Sequence, residues 1–589
     1  MISRWGIDEL KKEIFLSKAS GESSSGGAGA VGRRRVLSLL WPWGTLILLT
    51  LAAYLWGLGS YGLIDPDEGR YSEIPREMVE SGDFVTPRLN YVKYFEKPAL
   101  HYWLTAGAFL AFGQGEAASR ATPVLMGLGG CLLTFLLARR AMASARAGGL
   151  AALILAASVL WFALSRLNLT DMTLTFFFTL ALLGYRLWSE EGKRRWILLF
   201  YAGMALGTLT KGLVGVVLPG GIAVLHLGLM RRWRPLLRLF SPWGMGLYFL
   251  IAVPWFWAVC RANPDFFHFF FIREHFQRYL TTVHGRYQPF WFFIPIMLGA
   301  FVPWTGMLLD ALHAARGKCP IVSRSDGLFL GLWFAVPFLF FSLSHSKLIP
   351  YVLPCMPPVA VLMGAAAETA FRRGAGSRWM LRRFVGLNAL ILLPLALAGF
   401  LWPGLSSDPA VGEAAGAARR LSVALLAFWG ASLLLLRGRG AFWVAIRGVK
   451  IQVPPLLCIL ALAVLLAASR GFGIAAARNS QRDIAAMLAD RLRKGDTVVA
   501  YRNLMQGLPF YLKQRVVTAC ELNELEFGAA SETDPRWFID GPQLRRLWNG
   551  PDRVLLAARR RDAESLEEVL GREPVPIGET PGILLFTNF

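Results

Sequence analysis

Apolar runs of about 18 to 25 residues recur along this chain almost to position 470, each long enough to cross a hydrocarbon core of about 30 Å as a helix. No water-soluble core accommodates so many of them. Of the 589 residues, 55% are hydrophobic and 17% charged, and the mean hydropathy is +0.45, against roughly 25% charged residues in a typical soluble domain. The segments between the runs lack the ten-residue alternation of an outer-membrane barrel. The chain therefore reads as an α-helical polytopic membrane protein. About thirteen spans are expected, centred near residues 47, 128, 157, 178, 204, 221, 250, 300, 335, 358, 393, 427 and 461. The first follows Arg33, Arg34 and Arg35 and is too long for a signal-peptide core, so it reads as an uncleaved signal anchor with residues 1–35 as a cytoplasmic tail.

Lysine and arginine outnumber acids 62 to 39, a net charge of +23. In a soluble protein that excess would suggest nucleic acid. Here the basic residues lie in alternate short loops: Arg139, Arg140 and Arg146; Arg186 with Lys193 to Arg195; Arg231, Arg232, Arg234 and Arg238; Arg372 to Arg383; Arg437 to Lys450. That pattern is a membrane-orientation signal, with attraction to phospholipid headgroups and no nucleic acid. Arg419 and Arg420 are the exception to it. The alternation puts three regions on the non-cytoplasmic side: residues 61–117, residues 261–290 and everything after about 471. The six cysteines are scattered, with no CxxC spacing, which excludes a cysteine zinc cluster and a disulfide framework.

From 471 to 589 the composition changes to that of a soluble domain. A helix is expected over Arg478 to Arg493, capped by Asn479 or Ser480, and strands over Thr497 to Tyr501, Val516 to Thr518, Val554 to Ala557 and Ile583 to Thr587. A small α/β domain follows from that pattern.

The densest ionisable cluster comes just after the first span and contains Asp65, Asp67, Glu68, Arg70, Tyr71, Glu73, Arg76 and Glu77. Carboxylates at a membrane exit need a cation, a metal or a substrate proton to balance them. Asp67 and Glu68, with Arg70 beside them, are candidates for proton removal from a hydroxyl or for holding a divalent metal. In Tyr94-Phe95-Glu96-Lys97-Pro98, Glu96 offers a metal ligand and Lys97 a phosphate partner, or the two form a structural ion pair. Asp171 is a second site carboxylate or a helix cap. Lys211 and Lys347 either snorkel to headgroups or bind an anion, and Tyr351 follows Lys347 closely. His275 and Arg278 sit in an aromatic-rich segment, where His275 is either structural or a metal ligand. No Walker loop, HExxH or GxSxG elbow is present, so an activated donor must arrive in the bilayer.

The motif Asp67-Glu68-Gly69-Arg70-Tyr71, then Tyr94-Phe95-Glu96-Lys97-Pro98, Thr210-Lys211-Gly212, His275 and Lys347 to Tyr351, resembles the aminoarabinose transferase family, GT-C enzymes related to protein O-mannosyltransferases. The resemblance runs in order over about residues 36–470 and implies a membrane catalytic domain followed by an outer C-terminal domain. It implies inverting transfer of 4-amino-4-deoxy-L-arabinose from undecaprenyl phosphate to a lipid A phosphate, by a monomer, at the periplasmic face of a bacterial inner membrane. By the same resemblance Asp67 and Asp171 are the acidic residues of the catalytic centre, Glu96 and His275 hold a divalent metal ion such as zinc, and Lys97, Arg278 and Tyr351 hold the donor phosphate. The alternatives are transfer to a protein hydroxyl and a lipid transporter without chemistry.

Overall fold

A computed structural model describes residues 44–277, 288–373, 378–405, 409–437, 443–446, 449–502 and 504–589. The chain divides into two units, 1–51 and 52–589, and of the first the described residues open the helix Gly44–Leu55. The second is a helical bundle followed by a mixed sheet.

Every expected span centre falls in a helix or at the break of a bent helix pair. Among the described residues, 7 helices are long and apolar enough to cross a membrane, or up to 9 if each bent pair is one span. Two further helices, Thr170–Glu191 and Arg194–Lys211, are long enough but carry charges at both ends, among them Asp171, Arg186, Glu190, Glu191 and Lys211. The segments near 157 and 300 are helix pairs bent by 68° and 111°.

Polar contacts sort the loops into two sets. Arg140 pairs with Glu190 and Glu191, Arg186 with Asp326, Arg146 and Arg372 with Glu368, and Arg383 with Asp310. Arg120 instead pairs with Glu68, Lys211 with Asp171, and the Asn263 amide with Thr86 Oγ1. The helix Glu116–Ala141 carries Arg120 near its start and Arg140 near its end, so the two sets lie at opposite ends of a 26-residue rod about 39 Å long. The basic loops that carry Arg140, Arg146, Arg186 and Arg372 thus lie towards one end, and Glu68 with its Arg120 anchor lies at the other.

The helix Val453–Asn479 continues past 471, and the C-terminal domain begins at Ser480, whose Oγ accepts from Arg482 N–H (3.2 Å) at the start of the helix Arg482–Ala489. Its six strands lie in the order Phe538–Ile539, Val517–Ala519, Thr497–Tyr501, Val554–Arg559, Ile583–Thr587, Val575–Glu579. The first four are parallel, and Ile583–Thr587 runs antiparallel to both its neighbours. Strand residues alternate between the two faces. Val498, Ala500, Leu555 and Ala557 pack with Ile484, Leu488 and Leu508 on one, while Val499, Tyr501, Leu556 and Ala558 pack with Leu544, Trp548, Leu566 and Leu570 on the other. The strands Phe538–Ile539 and Val575–Glu579 lie outside the sequence expectation, being respectively too short and too exposed to show an apolar run.

Candidate active site

The helix Asp67–Ser81 forms because two acids open it, complementing the helix dipole, and Gly82 closes it with a left-handed φ of 71°. It lies buried along most of its length beside the helix Leu100–Phe112. Its neighbours Asp67 and Glu68 are treated differently. The Glu68 carboxylate is anchored: Oε1 and Oε2 accept from Arg120 Nε and Nη2 (2.9 and 2.8 Å), and the backbone N–H groups of Asn168 and Ile64 also donate to it. Arg120 in turn donates to the carbonyls of Leu58, Tyr61 and Gly62.

Asp67 is 49% exposed and pairs with Arg70, one turn along. Arg70 donates to Tyr94 Oη (2.9 Å), stacks over Tyr71 with 5.2 Å to the ring centre, and pairs with Glu524 of the C-terminal domain. Lys97 Nζ lies 3.8 Å from Glu96 Oε2, and Lys211 Nζ lies 2.5 Å from Asp171 Oδ1 and 4.8 Å from the Tyr351 ring centre. At least one member of each pair acts electrostatically on the same phenol. Tyr71 is buried, and burial raises it above its ordinary value; Arg70 opposes the rise while the nearby charges of Asp67, Glu96 and Asp171 add to it. The Glu524 carboxyl is likewise raised by burial, with Arg70 opposing and Glu96 and Asp67 adding.

Asp67, Arg70, Glu96, Lys97, Asp171, Lys211 and Tyr351 therefore converge, whereas the Lys347 amine is held by the carbonyls of Gln288 (2.8 Å) and Ser344 (2.5 Å). The His275 side chain and all of Arg278 lie outside the described residues. Among the described residues no three His, Cys, Asp or Glu side chains gather as a metal site. Glu96 fits as a carboxylate ligand only in company with donors such as His275.

Sequence reasoning missed Glu524. It comes from a short turn, Asn523–Leu525, in a domain expected to stand apart, and makes contact 454 residues along the chain from Arg70. The domain docks here through several contacts. Gly507 N–H donates to Asp65 Oδ2 (3.0 Å), and Asn90 exchanges two hydrogen bonds with the Val516 backbone (2.8 and 2.9 Å). Asn90 and Tyr91, with φ of 54° and 65°, form the turn between the strands Arg88–Leu89 and Val92–Lys93 that presents that amide.

The sequence model of dolichyl-phosphate-mannose-protein mannosyltransferases matches residues 45–270, and that of the aminoarabinose transferase C-terminal domain matches residues 484–569. An undecaprenyl phosphate-alpha-4-amino-4-deoxy-L-arabinose arabinosyl transferase from Pseudomonas fluorescens is 36% identical over 61% of this chain and 65% of its own length. One from Aeromonas salmonicida is 34% identical over 66% of this chain and 71% of its own. The matched segments thus span about two thirds of these relatives. The crystal structure of ArnT from Cupriavidus metallidurans bound to undecaprenyl phosphate superposes with a TM-score of 0.80 at 30% identity, covering 92% of this chain and 97% of that one. Fold and site together define an integral-membrane glycosyltransferase of the GT-C class. Within it, the chain belongs to the aminoarabinose transferase family.

Proposed function

We propose that this protein transfers 4-amino-4-deoxy-L-arabinose from undecaprenyl phosphate to a lipid A phosphate, at the periplasmic face of a bacterial inner membrane. The observation that supports it is a chain of ion pairs, Asp67–Arg70–Glu524, Glu96–Lys97 and Asp171–Lys211, four of whose members, Asp67, Arg70, Glu96 and Asp171, act electrostatically on the buried Tyr71. A donor that is at once a phosphate and an amino sugar needs both signs in one pocket. Lys97 and Lys211 face the phosphate, and their charge offsets the negative charge that develops on it as the anomeric C–O bond breaks. The acceptor phosphate oxygen forms the new bond from the opposite side, inverting the centre. Because that oxygen is already an anion, no general base is needed, and Asp67, the most exposed of the site carboxylates, orients the reactants. Glu524 supplies a carboxylate for the sugar ammonium. Glu68 acts by anchoring the loop before the helix on Arg120. One chain carries all these groups, so a monomer suffices.

A divalent ion, zinc among the candidates, belongs to the same proposal: Glu96 and His275 would hold it, and it would supply positive charge to offset that of the donor phosphate. Elemental analysis of the purified protein is expected to find about one ion per chain, with less in Glu96→Gln; a metal-free wild type that retains full activity would remove the ion from this reading. The function itself is tested in proteoliposomes with radiolabelled donor. Label is expected in lipid A, with Asp67→Asn lowering the rate by at least about a hundredfold. Label in protein would favour a hydroxyl acceptor, and no Asp67-dependent transfer would sink both.

A further inference from the structure

We propose that Gln506, in the C-terminal domain, is a positioning residue that holds the Glu524 carboxylate for a cationic sugar without cancelling its charge. The proposal rests on the functional reading above and deepens it. Gln506 Nε2 donates to Glu524 Oε1 at 2.7 Å, while the other carboxylate oxygen, Oε2, faces Arg70. The two oxygens are thereby divided between a neutral donor and a cation. A lysine or arginine in place of Gln506 would hold the carboxylate equally well, but its charge would oppose an incoming ammonium.

The amide's orientation follows from its partner, and the backbone beside it is held in place. Turned over, it would set its oxygen against the carboxylate, so the nitrogen must face Glu524. Gln506 is 5% exposed, and its neighbour Gly507 is wedged where it stands: the Gly507 N–H donates to Asp65 Oδ2 at 3.0 Å, and a Cβ on Gly507 would lie 2.8 Å from Gln481 Oε1 and 2.9 Å from Asp65 Oδ1. Asp65 stands two residues before Asp67. A closed ring results, from Asp65 to Asp67, across Arg70 and Glu524 to Gln506, and through Gly507 back to Asp65. Within it, Gln506 joins the docking contact to the carboxylate that reads the substrate.

The test measures binding to protein in nanodiscs of two undecaprenyl phosphate donors, one bearing 4-amino-4-deoxy-arabinose and one bearing arabinose. For Gln506→Leu, binding of the amino donor is expected to weaken about five- to tenfold and that of the hydroxy donor less than about twofold. In a Glu524→Gln background the same substitution is expected to add nothing. Gln506→Met serves as a second variant if the leucine protein does not fold. Equal losses for both donors, or losses that multiply with Glu524→Gln, would overturn the proposal. So would a wild type that binds the two donors alike. Because the readout is binding, a wild type that binds the amino donor selectively yet transfers nothing overturns the functional reading and leaves the role of Gln506 standing.

Discussion

Asp67 and Glu68 are adjacent carboxylates that one turn of helix directs to different tasks. Glu68 is 2% exposed and fully engaged by a guanidinium that is itself 0% exposed, whereas Asp67 is 49% exposed beside Arg70. Removing one partner from a buried ion pair leaves an uncompensated charge, at a cost of about 3–5 kcal/mol. Glu68→Gln is therefore expected to lower the melting temperature of the purified protein and to lose activity only in proportion to the folded fraction. Asp67→Asn is expected to melt like the wild type and to lose transfer. The reverse pattern would return Glu68 to the chemistry. The sequence made the pair conspicuous but left its division of labour open, because that depends on Arg120, 52 residues away. Asp67, Glu96 and Asp171 stood out for a local reason, namely charge at the edge of an apolar run. Glu524 had no such mark: Glu521-Leu522-Asn523-Glu524 is ordinary surface composition, and only the tertiary fold brings it to Arg70.

Among the elements, the junction between the helix Asp67–Ser81 and the loop ahead of the helix Gly507–Leu512 depends on close approach. A Cβ on Gly69 would lie 2.0 Å from Asp65 Oδ1 and 2.5 Å from the Gly507 nitrogen, so even alanine there would force the two apart. Enclosure raises the Asp65 carboxyl from its ordinary value of 3.8 to about 8, burial being the main cause and the Gly507 hydrogen bond opposing it. The folded protein thus keeps a proton that the unfolded chain releases near pH 4. The stabilisation is fully present below that pH and is lost as pH rises through about 8. Hydrogen exchange at the Gly507 amide is expected to speed up across that window beyond its intrinsic pH dependence, and Asp65→Asn to abolish the excess; an unchanged profile in the variant would count against Asp65 as the group responsible. Elements of this kind were partly legible. Long apolar runs reveal helices, but the 68° bend at residues 157–158 has no proline or glycine to mark it, whereas the 111° bend at 301–304 falls at Pro303.

At the scale of the whole molecule, the C-terminal domain brings Glu524 to the candidate site rather than standing apart from it. Besides the polar contacts of Asp65 and Asn90, Phe510 packs with Leu63, Phe109 and Ala118, Phe527 packs against Phe95 and Phe269, and the Tyr511 hydroxyl joins Leu63 N–H to Glu116. These contacts join the domain that carries Glu524 to the part of the chain that carries Arg70, so loosening any of them should move Glu524 before it disturbs the membrane helices. Asn90→Ala leaves the Val516 N–H and C=O unpaired at the junction, each at about 1–3 kcal/mol if it stays dry. Phe510→Ala removes a buried ring from the same junction at about 3–5 kcal/mol. Limited proteolysis between the domains and the rate of sugar transfer are therefore expected to change together across Asn90→Ala, Phe510→Ala and the double variant, with faster cleavage matched by slower transfer. Because the proposed phosphate contacts are Lys97 and Lys211 rather than residues of this junction, affinity for undecaprenyl phosphate alone is expected to stay near the wild-type value. A variant whose domain is freely cleaved yet transfers sugar at the full rate would show that Glu524 is dispensable and that the helical bundle contains the whole site.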